Sequence, residues 1–389
     1  MNKWILIVLV VVVVSVVLAL NLILTGLQPA KPSRLGLFVY MYKFLKRPEP
    51  QDWDTLLTKM SEANFTSIIP FVIDARGYAY FYSEIAPVNS DYMNLYREKY
   101  GDVDPLKDLI NRAHSKGFKV WAWVSTTRVS REFLEKHRDW AVVDSQGVSC
   151  LEKPVGPYKW YYISIANKEA REYIISILKE LVEKYEIDGI VLEDDLGFPS
   201  RGEYDFSYAA RKWFEEEYNI TVNWPSDVLE GGKYRNLWLE WRIKVVTSFV
   251  EEAYKEVKKI RKIPFGAAVS VNVDWQRTQM GVDWREWVKK GVVDFVAPML
   301  YHRDRGQDVY WIQFVTKDVI TLVKSLNEKV EVYPIIGGSL ANTRDMPPSE
   351  WVEAIKFAVK GGGKTVLVFA GVCVEEAKAW KTLKEFTGS

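Results

Sequence analysis

Across residues 35–389, short apolar runs rich in β-branched and aromatic residues alternate with amphipathic stretches of helical period, and this alternation leaves few folds open. A strand followed each time by a helix returns to the same edge of its sheet, so such units pair in parallel. The apolar runs fall at residues 35–41, 67–72, 119–124, 189–192, 265–271, 293–299, 330–336 and 365–369. Eight of them predict an α/β fold of the closed (β/α)8, or TIM-barrel, kind. Helix punctuation agrees: Asp104 and Pro105 suit an N-cap and first helical position, Gly117 suits the stop, and Asn167 suits the cap of the helix that runs to Tyr185.

Loop lengths orient the barrel. Segments entering strands are short, as at 117–118 and 186–187, whereas those leaving strands are long, notably 74–103, 125–165 and 195–237. Long loops after strands put the elaborated face at the strands' C-terminal ends, where barrel enzymes build their sites.

Residues 1–27 are of another kind. The stretch 4–24 is apolar except for Ser15 and Asn21. At ~1.5 Å per residue it is long enough to cross a hydrocarbon layer of ~30 Å. It is read as a transmembrane signal-anchor, followed by a linker over 28–34 and the barrel over 35–389. A cleaved secretory signal is the competing reading, but its apolar region is usually shorter, and no clear small-residue cleavage site follows. Lys3 precedes the span while Lys31 and Arg34 follow it, so flanking charge does not fix the orientation.

The sharpest chemical signal is the fourth strand, where Glu193, Asp194 and Asp195 follow an apolar run in direct succession. Glycosidic cleavage uses two carboxyl groups, one protonated and one ionised, and crowded carboxylates separate their pKa values by mutual repulsion and burial. Val191, Glu193 and Asp195 share one parity along the strand, and Ile190, Leu192 and Asp194 the other. Turning one charge rather than two under the helical layer costs less, which ranks Glu193 first and Asp195 second as catalytic candidates, with Asp194 retained because strand ends bend. Other strand ends add Asp74 and Arg76, Trp123, Asp274 and Trp275, and Tyr301 and His302. Asp274 is a candidate partner carboxylate across the barrel. The others are candidates for substrate binding, since a planar guanidinium and an indole suit sugar hydroxyls and pyranose faces. Arg128 lies further out and reads as structural.

Residues 104–123 (DPLKDLINRAHSKGFKVWAW), 185–195 (YEIDGIVLEDD) and 297–301 (APMLY) resemble, in that order, the glycosyl-hydrolase-like proteins known as family 10 glycosylhydrolases. The resemblance spans roughly residues 35–338 and implies a barrel that hydrolyses carbohydrate outside the cytoplasm. The family's fourth strand usually ends in Asp-Asp-Tyr, which sets its acids on Glu193 and Asp194 and its tyrosine on Asp195. A fainter similarity to the family 18 chitinase strand would instead set that family's catalytic Glu on Asp195. After Trp123 the family tends to carry Asn-Pro-Tyr-Arg, whereas this chain has Val124, Ser125, Thr126, Thr127 and Arg128.

Other chemistries find little footing. With three histidines and two cysteines, Cys150 and Cys373, the chain lacks the ligand pairs of a typical zinc or nickel barrel, and no calcium loop surrounds the acidic trio. His114 sits on a helix remote from the barrel mouth and reads as a packed or capping residue. Gly337 and Gly338 follow the seventh strand, where barrels often bind phosphate, although a tight turn explains them as well. Gly361, Gly362 and Gly363 precede the eighth strand and read as a helix stop. No nucleotide fingerprint is present, and a formal net charge of +1 gives no field for nucleic acid. The expectation is a glycoside hydrolase on an extracellular or cell-envelope polysaccharide, without cofactor or metal, held on the membrane by its N-terminal helix. A catalytically silent carbohydrate-binding barrel is the alternative.

Overall fold

The computed structural model describes residues 31–45, 52–200, 203–343 and 345–388. Each of the eight apolar runs forms a strand: β1 Arg34–Val39, β2 Ser67–Ile73, β3 Lys119–Val124, β4 Gly189–Leu192, β5 Phe265–Val269, β6 Phe295–Pro298, β7 in two pieces, Glu331–Val332 and Ile335–Gly337, and β8 Thr365–Phe369. Neighbours pair in parallel from β1 round to the first piece of β7, while the second piece pairs with β8 and β8 with β1. The sheet therefore curls until its ends meet on β7, giving a TIM-barrel-like fold. The seventh run is not the continuous strand expected over 330–336. Pro334 lacks an N–H for the ladder, so pairing breaks there and resumes at Ile335, which also bridges Met299.

An outer ring follows the strands: α1 Trp53–Glu62, α2 Pro105–Ser115, α3 Lys168–Lys184, α4 Arg235–Ile260, α5 Trp284–Lys290, α6 Trp311–Leu326, α7 Pro348–Lys360 and α8 Trp380–Thr387. The caps stand where the sequence put them. Asp104 accepts from the Leu106 and Lys107 N–H groups, Asn167 accepts from Ala170 N–H, and Gly117 closes α2 at φ +82°. His114, near the end of α2, pairs with Asp188 at 2.7 Å on the face opposite the long loops, in company with Lys119.

Two apolar layers follow from strand parity. Leu35, Leu37, Ile68, Val120, Ile190 and Leu192 pack outward in the large core, while Phe38, Ile69, Phe71, Trp123, Val191, Ala268, Phe295, Ala297, Ile335 and Leu367 fill the barrel's interior. Cys150 and Cys373 are both free and buried. The expected membrane segment, residues 4–24, lies outside the described residues, and among those described no helix is long and apolar enough to cross a membrane.

Candidate active site

The interior layer ends upward in a bowl of rings. Trp123 stacks on Phe71 with centroids 3.7 Å apart, and Phe38, Tyr40 and Phe369 meet it edge-on at 5.0, 5.1 and 5.6 Å. Tyr301 closes the ring against Phe369 at 5.6 Å. Into this bowl the last turn of β4 delivers its acids. Trp123 and Val191 are register partners, and Glu193 N–H still donates to Val124 C=O at 2.8 Å, so Glu193 keeps the inward parity of Val191. Its carboxylate accepts a hydrogen bond from Trp123 Nε1.

Past Glu193 the backbone turns, and parity ceases to apply. Asp194 is half-buried beside Glu193, whereas Asp195 folds back against the loop after β3 and is 1% exposed. There it accepts from Ser125 Oγ at 2.7 Å, Thr126 N–H at 3.0 Å, Thr126 Oγ1 at 3.1 Å and Arg128 N–H at 3.1 Å. Its acceptor capacity is taken up by the protein itself.

The electrostatics follow from this placement. Burial first, then repulsion from Asp194 and Asp195, hold the Glu193 carboxyl well above the usual carboxylate range, against the pull of Arg128 and the Trp123 hydrogen bond. Burial raises Asp194 as well, but there Arg128 is the next influence and favours the anion, as does a hydrogen bond with Glu193. Both carboxyls are raised, and Glu193, which lacks so close a cation, is raised the further. Burial disfavours the Arg128 cation, yet Asp195, Tyr162, Asp194 and Glu193 together outweigh it and push its pKa up. Arg128 is held by Tyr162 Oη at 3.1 Å and lies 5.1 Å from the Trp160 ring. Burial and then Glu193 raise the hydroxyls of Tyr40 and Tyr301 too, so both stay protonated donors beside the acids.

Not every expected residue reaches this bowl. Trp123 and Tyr301 do. Asp74 instead closes its own turn, accepting from Arg76 N–H at 2.8 Å, Tyr78 N–H at 3.1 Å and Tyr80 Oη at 2.9 Å, while the Arg76 side chain is exposed. Asp74 has the parity opposite to Ile69, Phe71 and Ala75, which pack on the interior layer, so it points away from the bowl. Asp274 does not face the trio across the barrel. It lies in the first turn of a helix, Val273–Met280, with its side chain 87% exposed and 3.6 Å from Arg285, and Trp275 beside it is 44% exposed. His302 has the outward parity. It is buried against α7, where Nε2 meets Glu350 at 2.8 Å and Arg303 grips the same carboxylate.

Two polar-tipped rings near the acids, Tyr40 in the bowl and Trp160 over Arg128, were not singled out from the sequence. Tyr40 was readable, since it continues the Phe38 parity beyond β1. Trp160 was not, because only the hairpin between Arg128–Val129 and Tyr161–Tyr162 brings it over Arg128. The phosphate reading of Gly338 meets a plain obstacle: the Ser339 N–H and Oγ and the Asn342 amide all point at the Asp304 carboxylate, which holds the place an anion would take. Among the described residues, no group of three or more His, Cys, Asp or Glu side chains is placed to hold a metal ion.

Residues 36–337 match the family described as Glycosyl hydrolase-like 10. Among curated proteins, the chain is 22% identical over 299 residues to the glycosyl hydrolase YngK of Bacillus subtilis, covering 69% of this chain and 51% of that protein. It is 24% identical over 270 residues to the glycosyl hydrolase DigH of Escherichia coli K12, covering 59% and 53% respectively. The chain thus spans about half the length of the curated relatives it matches. Among solved structures, the PgaB (BpsB) glycoside hydrolase domain of Bordetella bronchiseptica superposes with a TM-score of 0.68 at 13% identity, over 92% of this chain and 99% of that one. The catalytic domain of a Paenibacillus polymyxa β-amylase superposes with a TM-score of 0.60 at 11% identity, over 91% and 97%.

Proposed function

The chain belongs to the Glycosyl hydrolase-like 10 family, and on that premise we propose that it is a glycoside hydrolase that cuts O-glycosidic bonds in a polysaccharide of the cell envelope or extracellular space. Glu193 is the proton donor. The observation that carries this assignment is the position of its carboxyl group, fixed by Trp123 Nε1 above an aromatic bowl and next to Asp194, whose own anion the nearby Arg128 favours against its burial. Glu193 protonates the leaving oxygen as the glycosidic bond breaks, and the Asp194 carboxylate faces the positive charge that develops on the sugar ring. Water supplies the hydroxyl that ends the cycle and the proton that restores Glu193. Asp195 takes no part in the chemistry. It ties the loop after β3 down so that Arg128 stays beside Asp194.

Tyr40 and Tyr301 offer hydroxyl donors to the sugar, and the rings beneath pack against its C–H faces. The apolar stretch 4–24 tethers the barrel to a membrane, with the barrel on the extracytoplasmic side. The test of the proposal is a panel of polysaccharides incubated with the protein and with Glu193→Gln, scored by released reducing ends. Release by the parent and its loss in the variant is the expected result. Polysaccharide that is bound but never cut by the parent would favour a binding barrel instead.

A further inference from the structure

The hairpin after β3 pairs Arg128 with Tyr162 and Val129 with Tyr161 in antiparallel register. Alternate residues of a strand share a face, so Tyr162, directly opposite Arg128, and Trp160, its diagonal neighbour, both turn their rings to the side on which the Arg128 side chain lies. The guanidinium stands over both, 5.1 Å from the Trp160 ring and 5.8 Å from the Tyr162 ring, and its Nε donates to Tyr162 Oη at 3.1 Å. Trp160 is itself fixed: it is half-buried against the core and exchanges both backbone hydrogen bonds with Val155, at 2.8 and 3.0 Å.

Arg128 is thus secured twice. Asp195 takes its backbone N–H at 3.1 Å, and the rings take its guanidinium. A backbone tie alone leaves a long side chain free to swing into water, where attraction to a carboxylate falls as the dielectric rises. A ring face attracts the cation and excludes water from the side it covers. We propose that Trp160 is a positioning residue for the acid pair, which acts through Arg128: with Tyr162 it keeps the guanidinium beside Asp194 and shielded from solvent. The catalytic consequence rests on the glycoside hydrolase reading, whereas the hold on Asp194 does not.

The sign of the effect follows from the neighbours of Asp194. Glu193 and Asp195 flank it on its own strand end, Arg128 and Tyr162 face it from the hairpin, and Tyr40 and Tyr301 face it from beyond β1 and β6. Arg128 is the leading influence that favours the Asp194 anion against burial. Loosening the guanidinium therefore raises Asp194, and the acidic limb of the pH–rate profile moves up with it.

Infrared spectra of the full chain, recorded against pH, follow the C=O stretch of protonated carboxyl groups, and the difference between the parent and Asp194→Asn assigns the band of the pair. Protons leave a coupled pair in two steps, of which the lower is read. Trp160→Ala is expected to raise that step by about one pH unit, a roughly tenfold weaker hold on the anion. Trp160→Phe, which restores a ring face, stays near the parent, and Tyr158→Ala, at a ring 76% exposed on the hairpin tip, leaves the step unchanged. Trp160→Leu keeps an apolar body without a ring face, shifts the step in the direction of Trp160→Ala, and decides alone should the alanine variant fail to fold. The acidic limb of kcat/KM is expected to move in the same order on a polysaccharide that releases reducing ends. A lower step unchanged or lowered in Trp160→Ala, or raised equally in Trp160→Phe, overturns the proposal. If no polysaccharide is cut, the hydrolase reading fails while the infrared titration still decides whether Trp160 holds Arg128 on Asp194.

Discussion

Glu193 and Asp195 are two residues apart and meet opposite demands. Asp195 is a charge whose burial is compensated by four donors, so Asp195→Ala strands buried hydrogen-bonding groups at a cost of about 3 kcal/mol. Thermal melts should show that loss, together with lost activity as Arg128 comes free. Glu193 is half-buried with one side-chain donor, Trp123 Nε1, and its raised pKa means the folded chain holds the proton more tightly than the unfolded one. Its favourable contribution to stability is therefore present below the ordinary carboxylate pKa of about 4.3 and is lost as pH rises through the folded-state value. Glu193→Gln removes that dependence. The variant is expected to melt near the parent at about pH 4 and progressively above it as the medium becomes alkaline, whereas a gap that closes or reverses with rising pH would contradict a raised Glu193.

At the scale of elements, the sequence was most legible where a strand or helix obeys its own period. All eight strands, the Asp104 and Asn167 caps and the Gly117 stop stand where propensity and patterning put them, because a buried parallel strand must be apolar throughout and a helix start must satisfy its free N–H groups. Parity carried the reading as far as Glu193, and the same rule on the sixth strand separates Tyr301 from His302. It gave out one residue later, where the backbone turns, leaves Asp194 beside Glu193 and folds Asp195 back against the loop after β3. The helix that begins at Val273 removed Asp274 without a mark in the strand pattern, whereas the parity of Asp74, opposite to Phe71 and Ala75, already turned it away from the bowl. The break of β7 at Pro334 was foreseeable from the missing N–H. Beyond it, Gly337 sits at φ +120° with the Phe369 carbonyl 2.0 Å from where a Cβ would stand, so backbone and neighbour both require glycine. Gly337→Ala should cost about 2 kcal/mol or more, visible as a lower denaturation midpoint, while Gly147→Ala, in open space at a loop tip, should cost less than half of that. Equal losses would mean that closure at β7 is looser than described.

The whole molecule is a TIM-barrel-like fold of the Glycosyl hydrolase-like 10 family whose strand C-terminal ends carry an acidic, aromatic bowl. Extracytoplasmic placement predicts that protease added to intact cells removes the barrel, and protection until lysis would contradict it. The strand alternation made the barrel legible, but the meeting of Arg128 with the acids, and of Trp160 with Arg128, depends on loops that only the closed fold brings together. The central claim is the proton held by Glu193, and one measurement addresses it most directly. kcat/KM of the parent and of Glu193→Gln is compared on a polysaccharide, whose leaving sugar needs protonation, and on an aryl glycoside of the same sugar with an acidic phenol, whose leaving group does not. General acid catalysis predicts a loss of about 100- to 10,000-fold on the polymer and a far smaller one on the aryl glycoside. An equal loss on both substrates, or full activity of Glu193→Gln on the polymer, would contradict Glu193 as the acid.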